Sequence, residues 1–217
     1  MARRPSENPP LQARSRETLR RLLDAAETVL ERYGLDGATL PRIARAAGVS
    51  PASVYRRFRD KDALIAAVVR RFSEINASEA ERPLDTESLR RAGLDAIVRQ
   101  WTSALVGAYR ARPGLIRATM EYTRRHPEAS FIRRQVALET RNFHKMATVL
   151  LLFRDQIRHP DPEFAVRWAM LMTGCVLRER LLFDQAKLFE SLVPASDEQL
   201  REELARTFLR YLGAAPA

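Results

Sequence analysis

Three histidines and one cysteine are the residues a catalyst or a metal ion would recruit first, and their spacing suits neither. His126, His144 and His159 stand 18 and 15 residues apart, so no two fall at the i, i+4 step that puts a pair of imidazoles on one helix face. Cys175 is the single cysteine. It has no mate for an intrachain disulfide and no second thiolate for a zinc site, and a redox role would need exposure and a lowered thiol pKa. No phosphate-cradling glycine loop, dinucleotide fingerprint or nucleophile elbow occurs in the chain. No catalytic residue, metal or cofactor is therefore expected; an enzyme would have to be all-helical and without a motif.

The side chains that do form a pattern are basic. Lys plus Arg is 37 against 27 Asp plus Glu, a net charge of +10. Residues 1–72 hold 15 basic and 8 acidic side chains, and the remaining two thirds of the chain is close to balanced. A basic first third points to a polyanionic partner, nucleic acid or an anionic membrane surface, or else to a solvated arginine face.

The elements that position these charges are read as helices throughout. With 217 residues, 46% apolar and 29% charged, the chain has the composition of one large globular domain or two modest ones. No apolar run reaches the roughly 20 residues of a membrane span, and the polar start lacks a signal peptide's apolar region, so the cytoplasm is expected and no membrane partner. Residues 1–15, with three prolines, read as a flexible basic arm. From Arg16 the series Leu19, Leu22, Leu23, Ala26, Val29, Leu30, Tyr33 keeps one helix face, and Gly34 is placed to stop it. Thr39 caps a short helix over Leu40–Ala47, Gly48-Val49-Ser50 breaks it, and Ser50 with Pro51 opens another. Asp60 caps the next, whose inner face is Leu64, Ile65, Val68, Val69 and Phe72.

Two short helices joined by a three-residue turn containing glycine make a helix-turn-helix pattern. The steep crossing needs Gly48 in the turn and small residues, Ala44 and Ala47, at the contact. The second helix then projects its first residues outward, toward a major groove. A helical hairpin with no nucleic-acid role would show part of this pattern.

Residues 16–72 resemble the DNA-binding domain of TetR-type transcriptional regulators. The matching stretches are Ala25-Ala26 through Tyr33-Gly34, Thr39-Leu40-Pro41-Arg42-Ile43-Ala44, Ala47-Gly48-Val49-Ser50, and Val54 to Leu64, which looks like the family's Tyr-x-x-Phe-x-x-Lys-x-x-Leu signature. Ala52 departs from the glycine many members carry. The resemblance implies an all-α protein: a helix-turn-helix three-helix DNA-binding domain over 16–75, and a larger helical effector-binding and dimerisation domain over 76–217. It implies that Thr39, Tyr55 and Lys61 hold phosphates, and that Pro51, Ala52 and Ser53 lie at the start of the recognition helix. Arg56 and Arg57 follow; Arg57 is the expected base reader, with a phosphate contact the alternative for either. Arg42 and Arg45 read as a solvated face, and Arg3, Arg4, Arg14 and Arg16 as arm residues able to track a backbone or enter a minor groove.

The second domain has helical periods and no motif of its own. Residues 76–84 read as a polar break, followed by helices over Leu89–Tyr109, Leu115–Arg125, about 129–157, and from Asp161-Pro162-Glu163 to about Phe183 or Phe189. A last helix follows the capping box Ser196-Asp197-Glu198-Gln199. The resemblance implies a homodimer, with Leu171, Val176, Leu182, Phe183, Leu204, Phe208 and Tyr211 as interface candidates, intrachain packing being the alternative for each. A small-molecule effector would meet Trp101, Met120, Phe143, Met146, Trp168, Met172 and Cys175, which are expected on inward faces, where plain core packing is the competing reading. The functional expectation is a ligand-released repressor of a palindromic operator on double-stranded DNA. An effector-independent or architectural DNA-binding protein is the alternative. Coupling between the domains is expected where the fourth helix meets the fifth and sixth, around Val69, Phe72 and Ile75.

Overall fold

The computed structural model describes residues 11–80, 85–127, 130–182 and 186–214, and among them every regular element is helical. In order these are α1 (Leu11–Gly37), α2 (Leu40–Ala47), α3 (Pro51–Tyr55), α4 (Lys61–Ala80), α5 (Thr86–Ala111), α6 (Pro113–Arg125), α7 (Ser130–Leu151), α8 (Pro162–Leu181), α9 (Ala186–Leu192) and α10 (Asp197–Leu212). The all-α expectation holds.

The caps expected from sequence are made. Asp60 Oδ1 accepts from Ala63 N at 2.7 Å, and Ser196 and Gln199 form both bonds of the capping box. The helical path of α1 is interrupted at Gly34, whose φ of 66° is open to glycine. Three boundaries differ from expectation. Helix α1 begins at Leu11, five residues inside the expected arm, because Gln, Ala, Arg and Glu favour a helix even without an apolar face. The expected break over 76–84 is helical to Ala80, since no proline or glycine stops α4 before Pro83. The α8 helix ends at Leu181, and Ala186–Leu192 is a separate helix.

The first core unites Leu22, Ala26 and Leu30 of α1, Ile43 and Ala44 of α2, Val54 of α3, and Leu64, Ile65 and Val68 of α4. It does not end with the helix-turn-helix: Leu115, Ala118 and Tyr122 of α6 and Ile132 of α7 belong to the same cluster. A second core joins α5, α7, α8 and α10 through Val98, Leu150, Phe153, Val166, Leu209 and Leu212.

The helix-turn-helix region joins the rest of the chain chiefly through α6 laid along α1, and α4 meets α6 at its first turn, where Asp62 faces Tyr122 and His126, rather than around Val69, Phe72 and Ile75. Val69 is buried in the first core and Ile75 is exposed, while α4 packs on α7. The close approach has a cause in sequence. Gly114 presents no side chain to α1, and a β-carbon there would lie 2.0 Å from the Glu31 carbonyl oxygen. Glu31 in turn accepts from the backbone N–H of Gly114 at 3.1 Å and Leu115 at 2.7 Å, so a side chain of α1 caps the start of α6. One turn earlier in α1, the buried Glu27 carboxylate receives Arg71 of α4 at 2.6 Å and Arg112 at 2.6 Å. At the far end of α6, Arg125 pairs with Asp36 and holds that carboxyl below its ordinary range. His126 approaches Asp62 of α4 at 3.6 Å.

Candidate nucleic-acid interface

The turn between α2 and α3 is set by three local devices. Gly48 takes the left-handed conformation (φ 64°, ψ 39°) that ends α2, and Val49 N bonds Ala44 O at 3.0 Å. Arg21 of α1 donates to Ala47 O at 2.6 Å, tying the turn to the helix behind it. A β-carbon at position 48 would meet that same guanidinium at 2.9 Å. The turn thus needs glycine for its dihedral, while the guanidinium, at the end of a flexible side chain, could give way.

Two hydroxyls then start the helices on either side. Thr39 caps α2, its Oγ1 accepting from Arg42 N at 3.4 Å, which leaves the hydroxyl proton free to donate outward. Ser50 caps α3, accepting from Ser53 N at 3.3 Å, and its hydroxyl meets that of Ser53 at 3.0 Å. Arg56 extends the chain by donating to Ser53 Oγ at 3.1 Å. Val54 is fully buried and anchors α3 from behind, so Pro51, Ala52, Tyr55 and Arg56 stand exposed and Ser53 half-buried. Tyr55 is 56% exposed, a large phenol turned toward solvent.

Two of the expected contact residues are placed otherwise. Arg57 turns away from the exposed side of α3 toward α1, reaching Ser53 O and Ser15 Oγ at 3.4 Å each. The helix ends at Tyr55, so residues 56 and 57 leave in a turn that sends consecutive side chains to opposite sides. Arg56, not Arg57, is on the outer side. Lys61 donates to Leu35 O at 2.7 Å and Asp36 O at 3.5 Å, closing the end of α1 onto the start of α4. Sequence reasoning missed Arg21 and this use of Lys61, because each pairs with a carbonyl that no local pattern brings near.

In the second core, Trp101, Phe143 and Met146 face inward, with Trp101 edge-on to Phe208 at 5.7 Å. Met120 is half-buried, as is Cys175, whose Sγ accepts from Arg178 at 3.0 Å. Burial pushes the neighbouring Tyr109 phenol above its ordinary range, against the pull of Arg178. Trp168 and Met172 do not face inward. They are exposed on α8, where Trp168 stacks on Phe164 at 5.8 Å. Because α8 is apolar nearly all round, its sequence does not mark one inner face.

With Val176, Leu204, Phe208 and Tyr211 these two line an apolar cleft of about 200 Å³ between α8 and α10. Leu171, Val176 and Tyr211 are exposed, as an interface requires. Leu182, Leu204 and Phe208 are instead buried within the chain, and Phe183 lies outside the described residues.

Comparison with known proteins places this geometry. The family model described as bacterial regulatory proteins, tetR family, matches residues 22–68, which run from the first buried leucine of α1 through the turn to α4. Over these residues the chain is similar to the tetR family. The HTH-type transcriptional repressor Rv1474c of Mycobacterium tuberculosis is 41% identical over 63 residues, 29% of this chain and 34% of that one. The HTH-type transcriptional regulator TtgW of Pseudomonas putida is 32% identical over 94 residues, 43% of this chain and 62% of that one. The similarity thus spans about a third to three fifths of these relatives' length. The fold as a whole is similar to that of the transcriptional regulator SCO4942 of Streptomyces coelicolor, with a TM-score of 0.59 at 20% identity, covering 89% of this chain and 97% of that one. PfmR of Thermus thermophilus gives a TM-score of 0.59 at 16% identity, covering 91% and 96%. Among the described residues no helix is long and apolar enough to cross a membrane.

Proposed function

We propose that the chain is a homodimeric transcriptional regulator, a repressor, that binds a palindromic operator through paired α3 helices and is released by a small molecule. The observation that carries the reading is the outward set Pro51, Ala52, Tyr55 and Arg56 on a helix locked from behind by Val54, the Ser50 cap and the Arg21 tie. Thr39 and Tyr55 offer hydroxyl donors to phosphates, fixing register without reading sequence. Pro51 and Ala52 suit a thymine methyl, and Ser53 and Arg56 a base edge. Lys61 acts as a positioning residue, holding α4 and the end of α1 in one frame.

Dimerisation uses the exposed apolar face of α8 with Tyr211 of α10. Phe164, Trp168, Leu171, Met172 and Val176 stand between 41% and 51% exposed, and covering such a face is what a second copy does in a four-helix interface. The two α3 helices must then lie about 34–36 Å apart to enter successive major grooves. An effector held among Trp101, Met120, Phe143, Met146 and Cys175 acts by favouring a different separation, through α6 and its contacts with α1.

The competing roles of Tyr55 and Arg56 are separable. Tyr55→Phe weakens binding to all duplexes alike, whereas Arg56→Ala shifts preference at one base position by roughly 1–3 kcal/mol. Competition binding against a panel of single-base operator variants distinguishes them; equal loss on every variant for Arg56→Ala removes its reading role. For the dimer, Leu171→Asp produces a monomer in sedimentation equilibrium and loses operator binding while keeping its helical circular dichroism. A dimeric variant with full affinity would place the interface elsewhere.

A further inference from the structure

Arg42 is an exposed residue of α2, yet its side chain does not run out into solvent. Helical side chains lean toward the N-terminus, and this one leans back across the loop between α1 and α2. Its guanidinium lies 4.2 Å from the centre of the Tyr33 ring, on the last regular turn of α1. Its Nη1 donates to the Gly37 carbonyl. Arg32 approaches the same ring at 5.3 Å. Gly37 has no side chain to hold the loop off this seat: a β-carbon there would meet Tyr33 Cβ at 2.9 Å and Arg42 Nη1 at 3.6 Å. The two preceding carbonyls, Leu35 O and Asp36 O, accept from Lys61. Three consecutive carbonyls at the negative end of α1 are thus held by two cations.

Thr39 stands inside this frame. It is exposed between two buried neighbours, Ala38 and Leu40. The Arg42 side chain fixes Gly37, two residues before it, and the Arg42 backbone N–H holds its Oγ1 at 3.4 Å. One residue therefore sets both the path of the chain into Thr39 and the direction of its hydroxyl. We propose that Arg42, seated on Tyr33, is a positioning residue for DNA binding: it fixes the Thr39 hydroxyl as a phosphate donor and contacts no phosphate itself. The inference rests on the operator reading and extends it to two residues on the far side of the loop from α3. A hydroxyl already fixed gives up less side-chain freedom when it closes on a phosphate. Moving the guanidinium to a phosphate would forfeit both the ring face and the Gly37 carbonyl.

The test titrates the full chain with the duplex most enriched from a random pool, over a series of salt concentrations. Arg42→Ala binds at least about fivefold more weakly, and its dependence on salt has the slope of the parent. Tyr33→Leu, which leaves every charge in place, binds at least about threefold more weakly. Both positions are exposed, and both variants keep the helical circular dichroism. In a Thr39→Val background either change adds less than about twofold, because the hydroxyl they position is gone. A slope shallower by about 0.9 per protomer for Arg42→Ala makes Arg42 a phosphate ligand and overturns the proposal. So do full, additive losses in the Thr39→Val background, or a Tyr33→Leu variant that binds as the parent does. Nuclear magnetic resonance of the DNA-free chain reads the seat separately: the Tyr33 ring current moves the Arg42 side-chain signals upfield, and Tyr33→Leu returns them. Unshifted signals in a chain that binds its duplex overturn the positioning role alone, whereas a parent that enriches no duplex brings down the operator reading and the positioning role with it.

Discussion

Gly114→Ala lowers stability by about 3–4 kcal/mol, an expected fall in Tm of roughly 6–16 °C for a chain of this size. The added methyl would sit 2.0 Å from the Glu31 carbonyl oxygen and 2.8 Å from its carbonyl carbon, both backbone atoms of α1 that no rotamer change can clear. The start of α6 must therefore move away from α1 by an ångström or so. That shift pulls the Gly114 and Leu115 N–H groups off the Glu31 carboxylate, adding the loss of charge-assisted bonds to the overpacking. The control is Gly107→Ala on α5, where a β-carbon meets nothing within 4 Å. There alanine gains helix propensity, about 0.5–1 kcal/mol. Thermal unfolding of the pair separates the two environments; equal behaviour would mean that α6 does not rest on α1 as described.

Glu27→Ala is the second large effect, at about 2–4 kcal/mol of stability. Glu27 is 5% exposed, and its carboxylate is the common partner of Arg71 and Arg112. Removing it leaves two guanidinium groups facing a buried void. Arg71 keeps Asp24 at 2.7 Å, and Arg112 is part-exposed and recovers some hydration, which holds the loss below that of a fully enclosed pair. Chemical denaturation of Glu27→Ala beside Arg112→Ala and the double variant measures the coupling. A coupling near zero would show that the contact between the α1 and α6 regions does not depend on this pair.

These two sites mark what a linear reading reaches. Helix caps at Thr39, Ser50, Asp60 and Ser196 were legible because each is a local rule: a short polar side chain, a bond three residues on. The helix-turn-helix was legible for the same reason, its turn needing Gly48 and small neighbours within ten residues. The α6 junction was not. Gly114 and Glu31, or Glu27 and Arg112, are more than 80 residues apart, and a glycine after proline reads simply as a helix start. The direction of Arg57 was likewise hidden, because it depends on where α1 lies and on α3 ending at Tyr55. Trp168 and Met172 were expected inside because they are large and apolar, yet α8 is apolar nearly all round and carries such residues outside as well.

The central claim is that α3 reads DNA as one of a symmetric pair. Selection of the purified chain on a random duplex pool, with sequencing of the bound fraction, tests it most directly. The account predicts an enriched inverted repeat whose half-sites are about one helical turn apart, centre to centre, with the preference at one position of each half-site relaxed when Arg56 is replaced. Binding without enrichment over the input pool would contradict it, leaving a chain that holds the phosphate backbone and reads no sequence.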